Sequence, residues 1–174
     1  MNYSGIIKTD FANGLGVRVT LFVSGCTLGC QGCHSPELHD FNHGAPFDDA
    51  AKEMVISAMD KYWIDGITIT GGHPLEEQNI GAVYDLIKEV RERFPEKTVW
   101  LYTGLMLYPE LFHDDHGVLS EVIRMCDIIV DGPYIETLRD TTLAFRGSNN
   151  QRIIDVKRTM MNVDKNKLAG LYVK

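Results

Sequence analysis

The stretch GVRVTLFVSGCTLGCQGCH, residues 16–34, decides how this chain is read. Its first ten residues form a β-branched, apolar run, which predicts a strand over 16–25. The run then breaks into a loop carrying Cys26, Cys30 and Cys33 at the spacing C-x3-C-x2-C, with His34 directly after the last cysteine. A buried strand that ends in a cysteine cluster places chemistry at a strand exit, where parallel α/β sheets gather their ligands.

The pattern continues downstream as strand, then helix, repeated. Asp48 is a candidate cap for a helix whose apolar face carries Ala51, Val55, Ala58, Met59 and Tyr62. GITITGG (66–72) reads as a short buried strand stopped by glycines. A helix is expected over 77–94, with Val83, Leu86, Ile87, Val90 and Phe94 at helical spacing and Pro95 ending it. TVWLYTG (98–104) and DIIVDGPY (127–134) read as the third and fourth strands, with a short helix at 118–125 between them. RIIDV (152–156) is a candidate fifth.

Alternation of this kind implies parallel pairing with right-handed crossovers. The continuous apolar runs fit strands buried on both faces. Four or five such units are too few to close an eight-stranded barrel, so the expected fold is α/β, an open partial (β/α) barrel. No repeat, low-complexity tract or linker interrupts the chain, and residues 1–174 are expected to form one domain. The strand exits carry SGC (24–26), TGGHP (70–74), YTG (102–104) and VDG (130–132), so glycines converge on the cysteine loop.

Composition excludes several classes. With 17 basic against 24 acidic residues the net charge is −7, and no run of Lys and Arg appears. That argues against a broad nucleic-acid or anionic-membrane surface. The N-terminus lacks the basic head and apolar stretch of a secretory signal, and no apolar segment approaches the ~20 residues of a membrane span. A cytoplasmic setting is therefore expected, where disulfides are rarely structural.

Three of the four cysteines fall within eight residues, and three kinds of site fit that cluster. C-x-x-C-H, here Cys30, Cys33 and His34, matches a c-type haem attachment. That reading sits badly with a chain lacking an export signal, and it leaves Cys26 without a role. Zinc needs a fourth ligand, which His39 or His43 would have to supply. A 4Fe–4S cluster on three thiolates leaves one iron open to a small molecule. Cys126, inside IRMCDII, reads as a small buried apolar residue.

C-x3-C-x2-C is also the spacing that marks radical S-adenosylmethionine (SAM) enzymes, which this chain resembles. The segments DFANGLGVRVTLFVSGC, CQGCHSPELHDFNHG, ITITGGHPLEEQN, VWLYTG, DIIVDGPY and FRGSNNQR follow the order seen in anaerobic ribonucleoside-triphosphate reductase-activating proteins, a similarity spanning Asp10 to Arg152. FRGSNNQR (145–152) is the most discriminating of these, since radical SAM enzymes in general lack it. The resemblance implies a partial barrel of the radical SAM type. It implies a 4Fe–4S cluster on Cys26, Cys30 and Cys33, with SAM chelating the open iron, and an activase that installs a glycyl radical in its partner reductase. Gly32, Cys33 and His34 would lie beside the adenine. Thr70, Gly71 and Gly72 would offer backbone groups to the methionine end, and Thr103 and Asp131 are further cofactor contacts at neighbouring strand ends. Reduced flavodoxin or a similar carrier is the implied electron donor.

Two features sit apart from that pattern. His73 stands in GGHP where the family usually carries an acid, so a side-chain carboxylate contact to the SAM ammonium is missing there. Arg146 and the following GSNNQR either contact the partner or brace the core. Two other functions compete with this one. An activase of the pyruvate formate-lyase type would be longer and lack RGSNNQR. A non-catalytic zinc module would hold zinc rather than iron and sulfide.

Overall fold

The computed structural model describes residues 1–171. Seven strands form one open sheet: β1 (Asn2–Asp10), β2 (Arg18–Val23), β3 (Ala45–Pro46), β4 (Gly66–Gly71), β5 (Thr98–Tyr102), β6 (Ile128–Asp131) and β7 (Arg152–Asp155). Their spatial order is β3-β1-β2-β4-β5-β6-β7. The central strands β2, β4, β5 and β6 pair in parallel, as their alternation with helices requires.

The edges depart from the all-parallel expectation. β1 runs antiparallel to β2 and to β3, and β7 runs antiparallel to β6. The N-terminal strand has no apolar periodicity to announce it, because NYSGIIKTD is mostly half-exposed and its register shifts at two places. β7 reverses direction because no helix of crossover length separates it from β6, only the loop through residues 132–151.

Five helices accompany the sheet: α1 (Asp49–Met59), α2 (Glu77–Arg93), α3 (Glu110–His113), α4 (Val118–Met125) and α5 (Val156–Met160). Asp48 caps α1 as expected, its carboxylate accepting from Ala51 N at 2.9 Å. Tyr62 does not belong to the apolar face of α1. The helix stops at Met59, and Tyr62 is 93% exposed, stacked edge-on against Trp63.

The apolar strand runs conceal an alternation. Val19, Leu21, Val23, Ile67, Ile69, Val99, Leu101 and Ile129 point to one face, where they pack with Val55, Ile56, Met59, Leu86, Ile87, Val90, Val122 and Ile123 of the helices. Residues between them point the other way. Arg18, Thr20 and Thr68 are buried there among polar partners, and Trp100, Ile128, Val130 and Ile153 form a second, smaller cluster with Phe145 packed against it. The principal helices thus cover one face, and the opposite face is left to loops and a cavity. No described helix is long and apolar enough to cross a membrane.

Candidate active site

A cavity of about 840 Å³ opens on the carboxyl end of the parallel strands. Cys26, Cys30 and Cys33 all line it, together with Gly32, His34, Thr70, Gly71, Gly72 and Thr103. The sequence-expected site residues are therefore gathered in one place, with one exception. Asp131 is fully buried and does not line the cavity. Its Oδ1 accepts from Arg152 Nε at 2.9 Å and its Oδ2 from Leu107 N at 2.8 Å, so the carboxylate ties β6 to β7 and to the loop after β5.

The cysteine loop is held by backbone. Gly25 N donates to Leu38 O at 2.8 Å, Cys26 N to His39 O at 3.3 Å, and Cys33 N to Cys30 O at 3.1 Å. The three thiols are half-buried and free of disulfides. Burial pushes the Cys26 thiol above its ordinary value. A hydrogen bond from the Leu28 backbone opposes this, while the negative charge of Glu76 adds to it. Such a thiol becomes a thiolate most readily when a cation arrives to compensate it.

Glycine is required at two points. Gly32 has φ +74°, and a Cβ there would lie 2.1 Å from Glu136 Oε2, so the position before Cys33 admits no side chain without displacing the cavity wall. At Gly72 the constraint is close approach: a Cβ would stand 2.7 Å from Gly25 O and 2.9 Å from Leu38 O, both backbone atoms of the cysteine loop. Gly72 N donates to Val23 O at 2.8 Å and His73 N to Gly25 O at 2.9 Å, locking the turn against the loop. What this turn retains for a ligand is an acceptor, the Gly72 carbonyl, which takes no hydrogen bond among the described residues.

His73 is buried beneath this turn. Its Nδ1 lies 3.2 Å from Glu76 Oε1 and its Nε2 2.8 Å from Thr103 Oγ1. The same Glu76 oxygen accepts from Thr27 N and Thr27 Oγ1, both at 2.8 Å. Thr103 accepts in turn from Leu105 N at 3.1 Å, which leaves its hydroxyl occupied although the residue lines the cavity. Glu76 was not legible as a site residue, since nothing in LEEQN marks it except an acid three positions after His73.

The donor set decides what the loop fits. Among the described residues no three His, Cys, Asp or Glu side chains converge closely enough to hold a single metal ion. Three unpaired thiols spread along one cavity wall suit a multi-iron cluster, in which each thiolate takes its own iron. Cys126 stands apart as expected: it is buried, its Sγ contacts Val122 O at 3.2 Å, and burial pushes its thiol up to about 12.

Three thiols gather at the carboxyl edge of the open sheet, and a family model described as "4Fe-4S single cluster domain" matches residues 12–154, which makes this an iron–sulfur protein of that class. Curated relatives narrow the class. The chain is 39% identical over 153 residues to the anaerobic ribonucleoside-triphosphate reductase-activating protein of Enterobacteria phage T4, covering 88% of this chain and 93% of that one. It is 36% identical over 153 residues to the protein of that name from Escherichia coli (strain K12), covering 87% and 96%. With the Pasteurella multocida protein the identity is 36% over 155 residues, covering 88% and 96%. The chain belongs to the family of anaerobic ribonucleoside-triphosphate reductase-activating proteins.

Proposed function

We propose that this protein is a cytoplasmic radical SAM activase that installs the glycyl radical of an anaerobic ribonucleoside-triphosphate reductase. The observation that carries the reading is the sharing of one cavity by Cys26, Cys30 and Cys33 with the glycine turn 70–72. The sheet, open on its loop-covered face, is read as a partial barrel of the radical SAM type.

When bound, the cluster and SAM would supply one-electron reductive cleavage of SAM and hydrogen-atom abstraction from the α-carbon of a glycine of the reductase. The electron comes from reduced flavodoxin or a similar carrier. The chain's own residues bind, orient and shield. Cys26, Cys30 and Cys33 hold the cluster by thiolate. The Gly72 carbonyl is an acceptor for the methionine ammonium, a role for which no side-chain carboxylate is needed at position 73. Gly32 to His34 border the adenine, with Gly32 keeping that wall free of a side chain.

The test is anaerobic. After reconstitution with iron and sulfide and reduction, the electron paramagnetic resonance spectrum is recorded with and without SAM, and the reductase is then added. A reduced 4Fe–4S signal that shifts with SAM, followed by a glycyl radical on the reductase, is the expected result. A protein that holds only zinc, or a cluster indifferent to SAM, overturns the proposal.

A further inference from the structure

The RGSNNQR segment divides into two parts with different work. Ser148, Asn150, Gln151 and Arg152 are braces. Ser148 Oγ accepts from Ile135 N at 3.2 Å, Asn150 Nδ2 donates to Pro133 O at 2.7 Å, and Gln151 Nε2 donates to Gly132 O at 3.1 Å. Gln151 Oε1 also accepts from Gly147 N at 2.8 Å. These bonds pin the loop after β6 to the segment before β7, and Arg152 completes the join through Asp131.

Arg146 does none of this. It lines the cavity, and its one hydrogen bond runs from Nη1 to Gln151 O at 3.2 Å. Its Nε is shielded from solvent and has no acceptor, and its Nη2 has none among the described residues. The nearby Asp140 carboxylate feels the Arg146 charge but takes no hydrogen bond from it; its Oδ1 accepts instead from Thr142 N and Oγ1 at 2.9 and 2.6 Å. An arginine carries five donors in a rigid fork, and leaving them unmatched in a half-buried position is costly.

The backbone just before it is also strained. Phe145 has φ +56°, the only described non-glycine residue with positive φ, and its ring is fixed edge-on against Trp100 at 5.3 Å between centroids. Strain of this kind persists where the surroundings impose it, and it clusters at ligand-binding positions. Here it falls immediately before Arg146, which lines the cavity beside Gly147 and Gln151.

We propose that Arg146 grips a backbone carbonyl of the partner's glycine-bearing segment as that segment enters the cavity. This rests on the activase reading above. A substrate glycine has no side chain to recognise, so only its peptide N–H groups and carbonyls are available. Unfilled guanidinium donors match the carbonyls. The cavity, at about 840 Å³, has room for a peptide segment beside a bound cofactor.

The experiment compares wild type with Arg146→Met and Arg146→Lys, each reconstituted, on three readouts: the SAM-induced spectral shift, the KM for reductase in glycyl-radical formation, and the Kd of reductase for the protein without SAM by titration calorimetry. Loss of a charged hydrogen bond to a carbonyl is expected to raise KM and Kd about tenfold or more in Arg146→Met, with partial recovery in Arg146→Lys and an unaltered spectral shift. Unchanged KM and Kd overturn the assignment. So does a lost spectral shift, which would make Arg146 a cofactor contact, or an equal fall in melting temperature in both variants, which would make it a brace. Wild type that forms no glycyl radical overturns the activase reading itself, whereas active wild type with an indifferent Arg146→Met leaves that reading standing and removes only Arg146.

Discussion

Glu76 Oε1 bonds His73 at 3.2 Å and Thr27 twice at 2.8 Å, so one carboxylate oxygen ties the glycine turn after β4 to the cysteine loop after β2. His73 extends the tie to Thr103, at the exit of β5. Three neighbouring strand ends are thereby fixed relative to one another around the cavity. The histidine of GGHP is thus a structural link, and its acidic partner Glu76 stands three residues further along, at the N-cap of α2.

Removing that link should loosen the site. Glu76→Ala deletes an acceptor for three donors, and a loss of about 1–3 kcal/mol is expected, read as a shift in urea midpoint at unchanged slope. Hydrogen exchange should rise at Thr27 N. A variant as stable as wild type, with Thr27 still protected, would show that the tie is incidental.

Acid should weaken the fold in two stages. Burial holds the His73 imidazole below its ordinary 6.5 despite the opposing pull of Glu76, so the unfolded chain binds its proton first. Stability from this group is present above 6.5 and declines as pH falls through the lower folded value. Glu76, half-shielded yet held below its ordinary 4.5 by bonds from Thr27 and His73, contributes stability above 4.5 that is lost as pH falls further. Chemical denaturation between pH 8 and about pH 2.5 checks this, and His73→Gln should remove the first stage only.

Cys30→Ala should abolish iron–sulfur assembly and SAM cleavage while leaving the fold largely intact. Cys30 is only half-buried on a loop, and changes at such positions usually cost under about 0.5 kcal/mol unless they break a named interaction. Circular dichroism and iron content measured on one preparation check the pair of outcomes. Collapse of the fold would instead point to a structural metal.

Gly72→Ala drives a methyl group against Gly25 O and Leu38 O, neither of which can rotate away. A destabilisation of about 2 kcal/mol is expected, seen as a melting temperature lower by about 4–8 °C, together with weakened SAM binding because the cysteine loop is displaced. A neutral effect on both would mean the loop yields freely.

At the opposite end of the sheet, Arg18 is fully buried and donates to Leu15 O, Ile67 O, Thr98 O and the hydroxyls of Thr68 and Thr98. Arg18→Met strips these acceptors of their donor in a place water does not reach. A loss of about 3 kcal/mol or more is expected in equilibrium unfolding. The guanidinium also stacks on Trp100, at 5.3 Å from the ring centroid.

The cysteine spacing, the glycines at the strand exits and the four central strands were all legible in the chain, because each is a local pattern: ligand spacing, conformational freedom, runs of β-branched residues. Those same runs foretold burial on both faces, but not that alternate residues of β2 and β5 serve two different environments. Arg18 and Trp100 face away from the helices, and only the assembled sheet shows it. β1 and the reversal of β7 were hidden for a related reason: edge strands take their direction and partner from pairing, which is non-local. The sequence alone determined which groups can hold a cluster, as thiol chemistry and spacing travel with the chain. Only the tertiary structure decided that Glu76 and His73 join three strand ends, that Asp131 is spent on Arg152, and that Arg146 reaches the cavity with guanidinium donors left over. Hydrogen-bond partners tens of residues apart are chosen by folding, not by neighbourhood in the chain.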